Sequence, residues 1–561
     1  MNAGGWIFRL VMTAACLGLL TGCVAISQNA AASQDVQAYM IVTANPEPSN
    51  TPFQPVSMDG SRPGELPATL LPTPTDTSTP LPSPTAEPTQ TIQPTSTFLP
   101  TVPPLPSDTP LPTDLPVNTP TSLPPDTPIP QPSVERPQYA ISALLDYAGH
   151  GLVVSEVVLY PNRTTYPLSN IVLGVNSNLW TGVFGLQTLA VNDQPTVNYS
   201  LSGQWLTVYL TEPLQPGQSI KIGIGYQLSL PYSSAKFENF GYTARQTNLI
   251  DWYPFVPPNI GGEWVLPAPY AYGENLVYDK ADFRISLMFA DPANAPVVAA
   301  SAPASYENGA LMYTLPNARN FTFSASQEYQ LNTADANGVT IYSYSFGSNP
   351  NAAAMVLEMT RLSVITYTAA FGPYPHTSLT VCETDLNDGL ETDGLYFLAS
   401  SFYREFSGGV KNNLTTIAIH ETAHQWWYGS VANNQAVEPW LDEALATYSE
   451  HVFFENNYPD LLQWWWNFRV YSHGAVSGWV DSKVYDTSSF STYVTSVYFN
   501  GAVFLQSLRD RIGNQVFLEF IRDYYTRNNG RIATAADFFS ILDLHTSVDT
   551  SDLVNANFNY R

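Results

Sequence analysis

The chain has 561 residues, enough for two or three domains that each bury their own core. Its 47 acidic and 21 basic residues leave a formal net charge of −26. An acidic surface repels phosphate backbones, so the composition argues against a nucleic-acid-binding protein. Three cysteines are too few for a disulfide framework.

The N-terminus has the pattern of an export signal. Arg9 precedes an apolar run, Leu10 to Leu20, which is short for a membrane span and long enough for the core of a signal peptide. The run ends in Leu20-Thr21-Gly22-Cys23, which resembles the bacterial lipobox. The resemblance implies that residues 1–22 are removed and that acylated Cys23 anchors an extracytoplasmic protein to the cell membrane. An ordinary signal peptide with an incidental cysteine is the alternative.

A proline-rich stretch follows. More than half of the 47 prolines fall between residues 41 and 140, mixed with Thr, Ser and Asp. Proline removes backbone donors, and the stretch lacks the periodic apolar residues that a core needs. We therefore expect residues 23–137 to form a disordered, semi-rigid linker, about 3.1 Å long per residue where it adopts polyproline II. It would act as a tether, and binding of a proline-recognising partner is the alternative.

Residues 138–335 show the pattern of β-strands. Between residues 219 and 230 an apolar residue occupies every second position, after a Pro-Gly turn pair. Residues 206–210 precede that turn and are predicted to form the partner strand of a hairpin. A further alternating run covers residues 283–289. The pattern predicts an N-terminal domain that is mostly antiparallel β-sheet.

After about residue 350 the apolar pattern becomes helical. Helices are predicted at residues 353–371, 412–428, 441–455, 502–512 and 516–525. Thr534 and Asp537 have the spacing of a cap at the start of another helix. The order of elements predicts an α+β fold, in which a helix-rich domain of residues 336–561 follows the β-domain.

The helical part contains an HExxH motif, His420-Glu421-Thr422-Ala423-His424. Residues i and i+4 lie on one face of a helix, so both imidazoles can bind one metal ion. Catalytic zinc sites typically have three protein ligands and keep a further position for water. Glu443, on the next predicted helix with 18 residues between it and His424, is the candidate third ligand. The segment therefore predicts a site for one zinc ion.

The alternative is a pair of surface histidines on an amphipathic helix. However, residues 415–419 are largely apolar and predict a helix in a core, where histidine and glutamate need a partner or a metal. Glu421 cannot easily bind the same ion as its flanking histidines, and it is placed to act as a general base on water. The other histidines lack such spacing and are interpreted as structural or surface residues: His150, His376, His451, His473 and His545.

These residues resemble the aminopeptidase-N-like zinc metallopeptidases of the gluzincin clan, including bacterial lipoprotein members with a Pro/Thr-rich linker. The resemblance is carried by residues 420–427 (HETAHQWW), by residues 440–448 (WLDEALATY) and by the spacing to Glu443, and it covers roughly residues 140–561. It implies a thermolysin-like catalytic domain that binds zinc and hydrolyses peptides.

Two further segments carry the resemblance. Tyr498-Phe499-Asn500-Gly501 is similar to the family's Tyr-Glu-Lys-Gly element, which implies that Tyr498 stabilises the tetrahedral intermediate. Residues 390–395 (LETDGL) resemble the Gly-x-Met-Glu-Asn segment, which implies that Glu391 binds the free amine of the substrate. The alternatives are a core aromatic for Tyr498 and a solvated loop acid for Glu391. Tyr493 is interpreted as a wall of the cleft.

Both segments depart from the family pattern. Asp388-Gly389-Leu390-Glu391-Thr392 keeps only the glutamate in its usual place, and Asn500 replaces a lysine. The leading hypothesis is a zinc aminopeptidase that acts on extracytoplasmic peptides. A zinc endopeptidase or other hydrolase on the same scaffold is the second, and the altered glutamate segment keeps it open. A catalytically silent surface-binding protein is the third, and the complete ligand set argues against it.

Overall fold

A computed structural model describes residues 135–560, except 234–239, 473 and 475. The predicted signal peptide, Cys23, His473 and all of the predicted linker up to residue 134 lie outside the described residues. Within the described part of the chain, no helix has both the length and the apolarity needed to cross a membrane.

The regular elements in the first part of the described chain are almost all strands. They are β1 (Gln138–Asp146), β2 (Gly151–Pro161), β3 (Leu168–Gly174), β4 (Phe184–Val191), β5 (Gln194–Pro195), β6 (Tyr199–Ser202), β7 (Trp205–Leu214), β8 (Ser219–Ser229), β9 (Phe240–Tyr242), β10 (Thr247–Leu249), β11 (Asn259–Ile260), β12 (Glu263–Trp264), β13 (Ala281–Phe289), β14 (Val297–Ala300), β15 (Ala304–Glu307), β16 (Ala310–Ala318) and β17 (Phe323–Ser326). The largest sheet has the order β15-β16-β13-β1-β2-β8-β4-β5. Smaller sheets have the orders β3-β7-β6, β14-β17-β10-β9 and β11-β12.

The alternating pattern of β8 is confirmed, because its isoleucines at 220, 222 and 224 point into the core. The predicted hairpin is wrong. β7 pairs with β3 and β6, whereas β8 pairs with β2 and β4 in the largest sheet. Apolar residues of both sheets belong to one core, so the Pro-Gly turn leads from one sheet to the other. The alternating pattern determines which face of a strand is buried, but it does not determine which other strand pairs with it.

The second part combines a five-stranded sheet with helices. Its strands are β18 (Gln330–Ala336), β19 (Val339–Ser345), β20 (Ser378–Thr384), β21 (Gly389–Thr392) and β22 (Leu395–Ala399). Its α-helices are α1 (Pro350–Ala370), α2 (Ser400–Glu405), α3 (Asn413–Ala423), α4 (Trp440–Asn457), α5 (Leu462–Trp465), α6 (Phe490–Val494), α7 (Asn500–Ile512), α8 (Asn514–Asn528), α9 (Ala535–His545) and α10 (Ser551–Asn557). The sheet has the order β18-β19-β20-β22-β21, so β21 is an edge strand.

The helix with the HExxH motif is shorter than predicted. Asn412 caps its N-terminus by accepting a hydrogen bond from the Thr415 amide, and the helix ends at Ala423 rather than at residue 428. The chain then turns, and the Tyr428 amide donates to the Val431 carbonyl at 2.9 Å. The second histidine of the motif is therefore the C-cap residue of α3. The capping box predicted for Thr534 and Asp537 is confirmed at the start of α9.

The arrangement confirms the predicted α+β class, with a β-rich part followed by a helix-rich part. Strand β18 begins at Gln330 and belongs to the sheet of the second part. The domain boundary drawn between residues 335 and 336 stays a prediction.

Candidate metal centre and active site

The two motif histidines converge on one point. His420 lies near the C-terminal end of α3 and His424 caps that helix, so one helical turn separates them. Their Nε2 atoms are 3.1 Å apart, and both side chains are buried. The predicted pair is therefore one half of a common site rather than two surface histidines.

Glu443 completes a triangle of ligand atoms. It lies in the first turn of α4, and its Oε2 is 3.4 Å from the Nε2 of His420 and 3.4 Å from the Nε2 of His424. Zinc–ligand bonds of about 2.0–2.1 Å would place the ligands of a tetrahedral ion about 3.3 Å apart. Two imidazole nitrogens and a carboxylate at these distances fit zinc as a resident metal.

The outer nitrogen of each histidine faces an oxygen. His420 Nδ1 is 2.8 Å from Glu450 Oε1, and His424 Nδ1 is 3.0 Å from the Trp427 carbonyl oxygen. Such contacts keep the proton on Nδ1 and direct the lone pair of Nε2 toward the metal. Burial, the neighbouring His424 and Arg469 hold the pKa of His420 well below its ordinary value, so this ligand is neutral.

Glu450 is itself held by two donors. Trp465 Nε1 donates to Glu450 at 2.8 Å, and Arg469 Nε donates to it at 3.0 Å. Burial raises the pKa of Glu450 to about 7, although Arg469 and Trp465 act in the opposite direction. No sequence motif singles out Glu450, and only its packing against α3 shows that it orients a ligand.

Glu421 is buried between the metal-binding triangle and β21. It belongs with Glu391 and His424 to a second group, in which one possible ligand atom of each lies within 4.8 Å of the others. Burial and the carboxylates of Glu391 and Glu443 raise the pKa of Glu421 well above its ordinary value. A Cβ atom on Gly389 would overlap Oε1 of Glu421, so glycine is required for β21 to approach this carboxylate. The role of Glu421 as a base stays a prediction.

Glu391 is a strand residue rather than a solvated loop acid. It is buried in β21, and its Oε1 accepts a hydrogen bond from Gln435 Nε2 at 3.0 Å. Asp388, at the misfit position before β21, has a φ of 94°. That region favours glycine, which accounts for the glycine of the family pattern.

Tyr498 lies on a π-helical turn, Thr495–Phe499, between α6 and α7. Its ring stacks on that of His420 with centroids 6.0 Å apart, and its hydroxyl lies near the Glu443 carboxylate. Burial and Glu443 raise its pKa well above the ordinary value, so the hydroxyl remains a donor. Tyr493 is buried beside it, with ring centroids 5.8 Å apart.

Glu274 is a further acid at the site that the sequence analysis missed. It comes from the β-rich part, and its carboxyl group lies close to that of Glu443. Burial and the carboxylates of Glu391 and Glu443 raise its pKa well above the ordinary value. The preceding residue, Gly273, has no side chain, and this allows the loop to pack closely against Val484 and the hydroxyl of Tyr493. No local pattern marks Glu274, because its loop is far in sequence from the HExxH motif.

The remaining described histidines lie apart from the metal-binding triangle. His376 bonds Asp393 at 2.7 Å, and His545 bonds Asp523 at 2.9 Å. Their ring contacts and ion pairs agree with the structural roles predicted for His150, His376, His451 and His545.

The comparisons with known proteins agree with this geometry. Residues 373–556 match the Peptidase family M1 domain. Aminopeptidase M1-D of Oryza sativa subsp. japonica is 23% identical over 228 residues, which are 38% of this chain and 26% of the relative. Probable aminopeptidase 2 of Sulfurisphaera tokodaii is 25% identical over 155 residues, 26% of this chain and 20% of the relative. The chain thus spans about a quarter of the length of the curated relatives it matches.

Solved structures show the same fold. The M1 zinc metallopeptidase from Deinococcus radiodurans has a TM-score of 0.56 and 18% identity, covering 76% of this chain and 95% of the other. A mutant of an M1 zinc metallopeptidase from that organism, bound to a Tyr-Ser-Ala substrate, has a TM-score of 0.54 and 19% identity, covering 75% and 94%. The likeness extends over the β-rich and the helix-rich parts.

Proposed function

We propose that this chain, whose residues 373–556 match the Peptidase family M1 domain, is a zinc-dependent aminopeptidase of the aminopeptidase-N-like family. The proposal rests on one observation: the ligand atoms of His420, His424 and Glu443 form a triangle, and the buried Glu391 lies beside it. The triangle supplies a metal site, and Glu391 supplies an anionic group next to it. A peptide bound by its protonated N-terminal amine would have its first peptide bond near the metal.

Glu421 acts as the base in this mechanism. A zinc ion held by the three ligands would supply Lewis-acid chemistry, polarising the scissile carbonyl and lowering the pKa of water. Glu421, buried within 4.8 Å of His424 and Glu391, accepts the proton of the attacking water and passes it to the leaving amine. Tyr498 keeps its hydroxyl proton and donates a hydrogen bond to the carbonyl oxygen as negative charge develops there.

Glu391 selects substrates with a positively charged N-terminal amine. Gln435 Nε2 donates a hydrogen bond to Oε1 of Glu391 at 3.0 Å, so this carboxylate has a defined position beside Glu421. A protonated α-amine compensates the charge of such a buried carboxylate, and an acetylated amine does not. Peptides with a free N-terminus are therefore the proposed substrate class.

The test compares pairs of amino-acyl and N-acetyl-amino-acyl fluorogenic amides with the purified protein. We expect hydrolysis that stops with a chelator and returns with zinc, and at least a tenfold preference for the free amine. Equal cleavage of free and blocked peptides at internal bonds would identify an endopeptidase instead. Zinc-independent hydrolysis would contradict the metal mechanism.

We also propose that the enzyme acts outside the cytoplasm and is anchored to the cell membrane by a lipid on Cys23. The proposal is supported by Leu20-Thr21-Gly22-Cys23 after an apolar run and by the proline-rich stretch behind it. More than one acyl chain is needed for stable attachment, as in a bacterial lipoprotein. The full chain should partition with membranes, and Cys23→Ser should release it or block its processing. A soluble wild-type protein with another mature N-terminus would contradict the anchor.

A further inference from the structure

Gln425 links the metal-binding helix to the strand that carries Glu391. It directly follows the metal ligand His424, and its side chain is fully buried. Its Nε2 donates to the Thr392 carbonyl at 2.9 Å, and its Oε1 accepts from the Gly394 amide at 2.9 Å. One amide side chain thus bonds both sides of the turn between β21 and β22.

The bonded atoms are next to the functional residues along the chain. Thr392 directly follows Glu391, so the hydrogen bond of Gln425 fixes the backbone immediately beyond the amine-binding carboxylate. The same Gln425 directly follows His424, whose Nε2 is 3.4 Å from Glu443 Oε2. Gln425 therefore connects the backbone next to the metal ligand His424 with the backbone next to Glu391 through one side chain.

The other side of this turn is held by the β-rich part. Asp393, between the two residues bonded by Gln425, accepts from Lys280 Nζ at 2.9 Å and from the Arg319 amide at 2.7 Å. A Cβ atom on Gly394 would overlap the Ser301 carbonyl oxygen, so the turn also packs tightly there. These contacts attach the turn to the β-rich part, and Gln425 attaches it to the metal-binding helix.

We propose that Gln425 is a positioning residue that sets the distance between the metal site and Glu391, and thereby the preference for a free N-terminus. The inference rests on the proposed aminopeptidase function. An aminopeptidase must hold the α-amine and the first peptide bond at once, so a shift of about 1 Å between the two anchors can cost about a hundredfold in rate. Gln425 itself touches neither the reacting atoms nor the amine.

The test uses Gln425→Met, which keeps the length of the side chain. It removes the hydrogen bonds to Thr392 and Gly394, together with the longer one that Gln425 Oε1 accepts from the Tyr374 hydroxyl at 3.4 Å. We expect zinc content to be unchanged and the ratio of kcat/KM for free over N-acetylated substrates to fall at least tenfold. Thr416→Val is the matched control, because Thr416 is a buried residue of the same helix whose hydroxyl donates within that helix, to Asn412 at 2.9 Å. It should keep the ratio of the wild type.

Binding gives a readout that does not depend on turnover. In a Glu421→Gln background, calorimetry with L-leucinamide and N-acetyl-L-leucinamide should show that Gln425→Met weakens binding of the free amine at least tenfold and leaves binding of the blocked compound unchanged. A merely structural role would weaken both compounds alike.

Gln425→Leu serves where Gln425→Met does not fold. It removes the donor to the Thr392 carbonyl and the acceptor for the Gly394 amide without adding a buried charge. A folded, zinc-containing variant of either kind with the full preference for free amines would overturn the inference. A wild type without any such preference would instead refute the proposed aminopeptidase function, and the inference with it.

Discussion

Glu450 Oε1 lies 2.8 Å from Nδ1 of His420, on the side of the imidazole that faces away from the metal-binding triangle. The two residues are thirty positions apart in the chain and belong to α4 and α3. Helix α4 thus contributes twice to the candidate metal site: Glu443 is the candidate third ligand, and Glu450 contacts the first candidate ligand, His420.

We predict that Glu450→Leu lowers the affinity for zinc about 10–100-fold, as expected when the outer partner of a histidine ligand is removed. Competition between the protein and a zinc chelator of known affinity measures the change. Glu455→Gln is the control, because Glu455 lies on the same helix and pairs with Arg509 at 2.9 Å. Unchanged zinc affinity in Glu450→Leu would show that the contact does not orient His420.

Glu421→Gln should keep one zinc per chain and lose at least about a hundredfold in kcat, since a general base contributes roughly that much. Zinc content by elemental analysis and turnover of an amino-acyl amide measure both quantities. Changing His420, His424 or Glu443 to Ala should instead remove the metal. Full activity in Glu421→Gln would refute the assigned base.

Tyr498→Phe should retain zinc and reduce kcat by about 10²–10³-fold, because it removes one donor to the developing oxyanion. The matched control is Tyr403→Phe, which also deletes a buried tyrosine hydroxyl, on α2. Steady-state kinetics that determine KM and kcat separately will compare the two variants. An equal effect of both substitutions would assign Tyr498 to the core rather than to the chemistry.

Glu391→Ala should abolish the difference between free and N-acetylated peptides, because loss of one partner of a desolvated charge pair costs about 2–5 kcal/mol. Glu274→Gln, which changes a second acid close to Glu391, should weaken binding of the free amine to a smaller extent. Inhibition by L-leucinamide measures both. A Glu391→Ala enzyme that still prefers free amines would show that the amine is bound elsewhere.

Asp393 gives a prediction for stability against pH. Although burial opposes ionisation, Lys280 and His376 hold its pKa well below the ordinary 3.8 in the folded protein. A depressed folded pKa stabilises the protein above the unfolded pKa, and this contribution is lost as the pH falls below about 4. Asp393→Asn should therefore cost about 3–5 kcal/mol at pH 7, since it breaks a buried pair.

In the same variant, the stability should fall less steeply between about pH 5 and pH 3 than in the wild type. Urea unfolding at a series of pH values measures both effects. Asp552→Asn, at an exposed pair with Arg511, should change little. Parallel stability curves for Asp393→Asn and the wild type would contradict the assigned pKa.

The metal ligands could be predicted because their geometry is largely local. Spacing i, i+4 places His420 and His424 one turn apart whatever the rest of the chain does. The strand at residues 219–229 and the capping box of Thr534 were predictable for the same reason, since alternation and capping involve residues that are close in sequence. Glu443 needed a further step, the packing of two helices against each other.

The sequence by itself therefore determined the type of each element and placed His420 and His424 on one face of a helix. It could do so because helical and strand periodicities are properties of a short segment. The tertiary structure decided which strand lies beside β8, where α3 ends, and which distant groups meet at the site. Glu450, Glu274 and Gln425 act through contacts between elements that lie far apart along the chain. Such contacts depend on how whole elements pack, and no local pattern of residues encodes that packing.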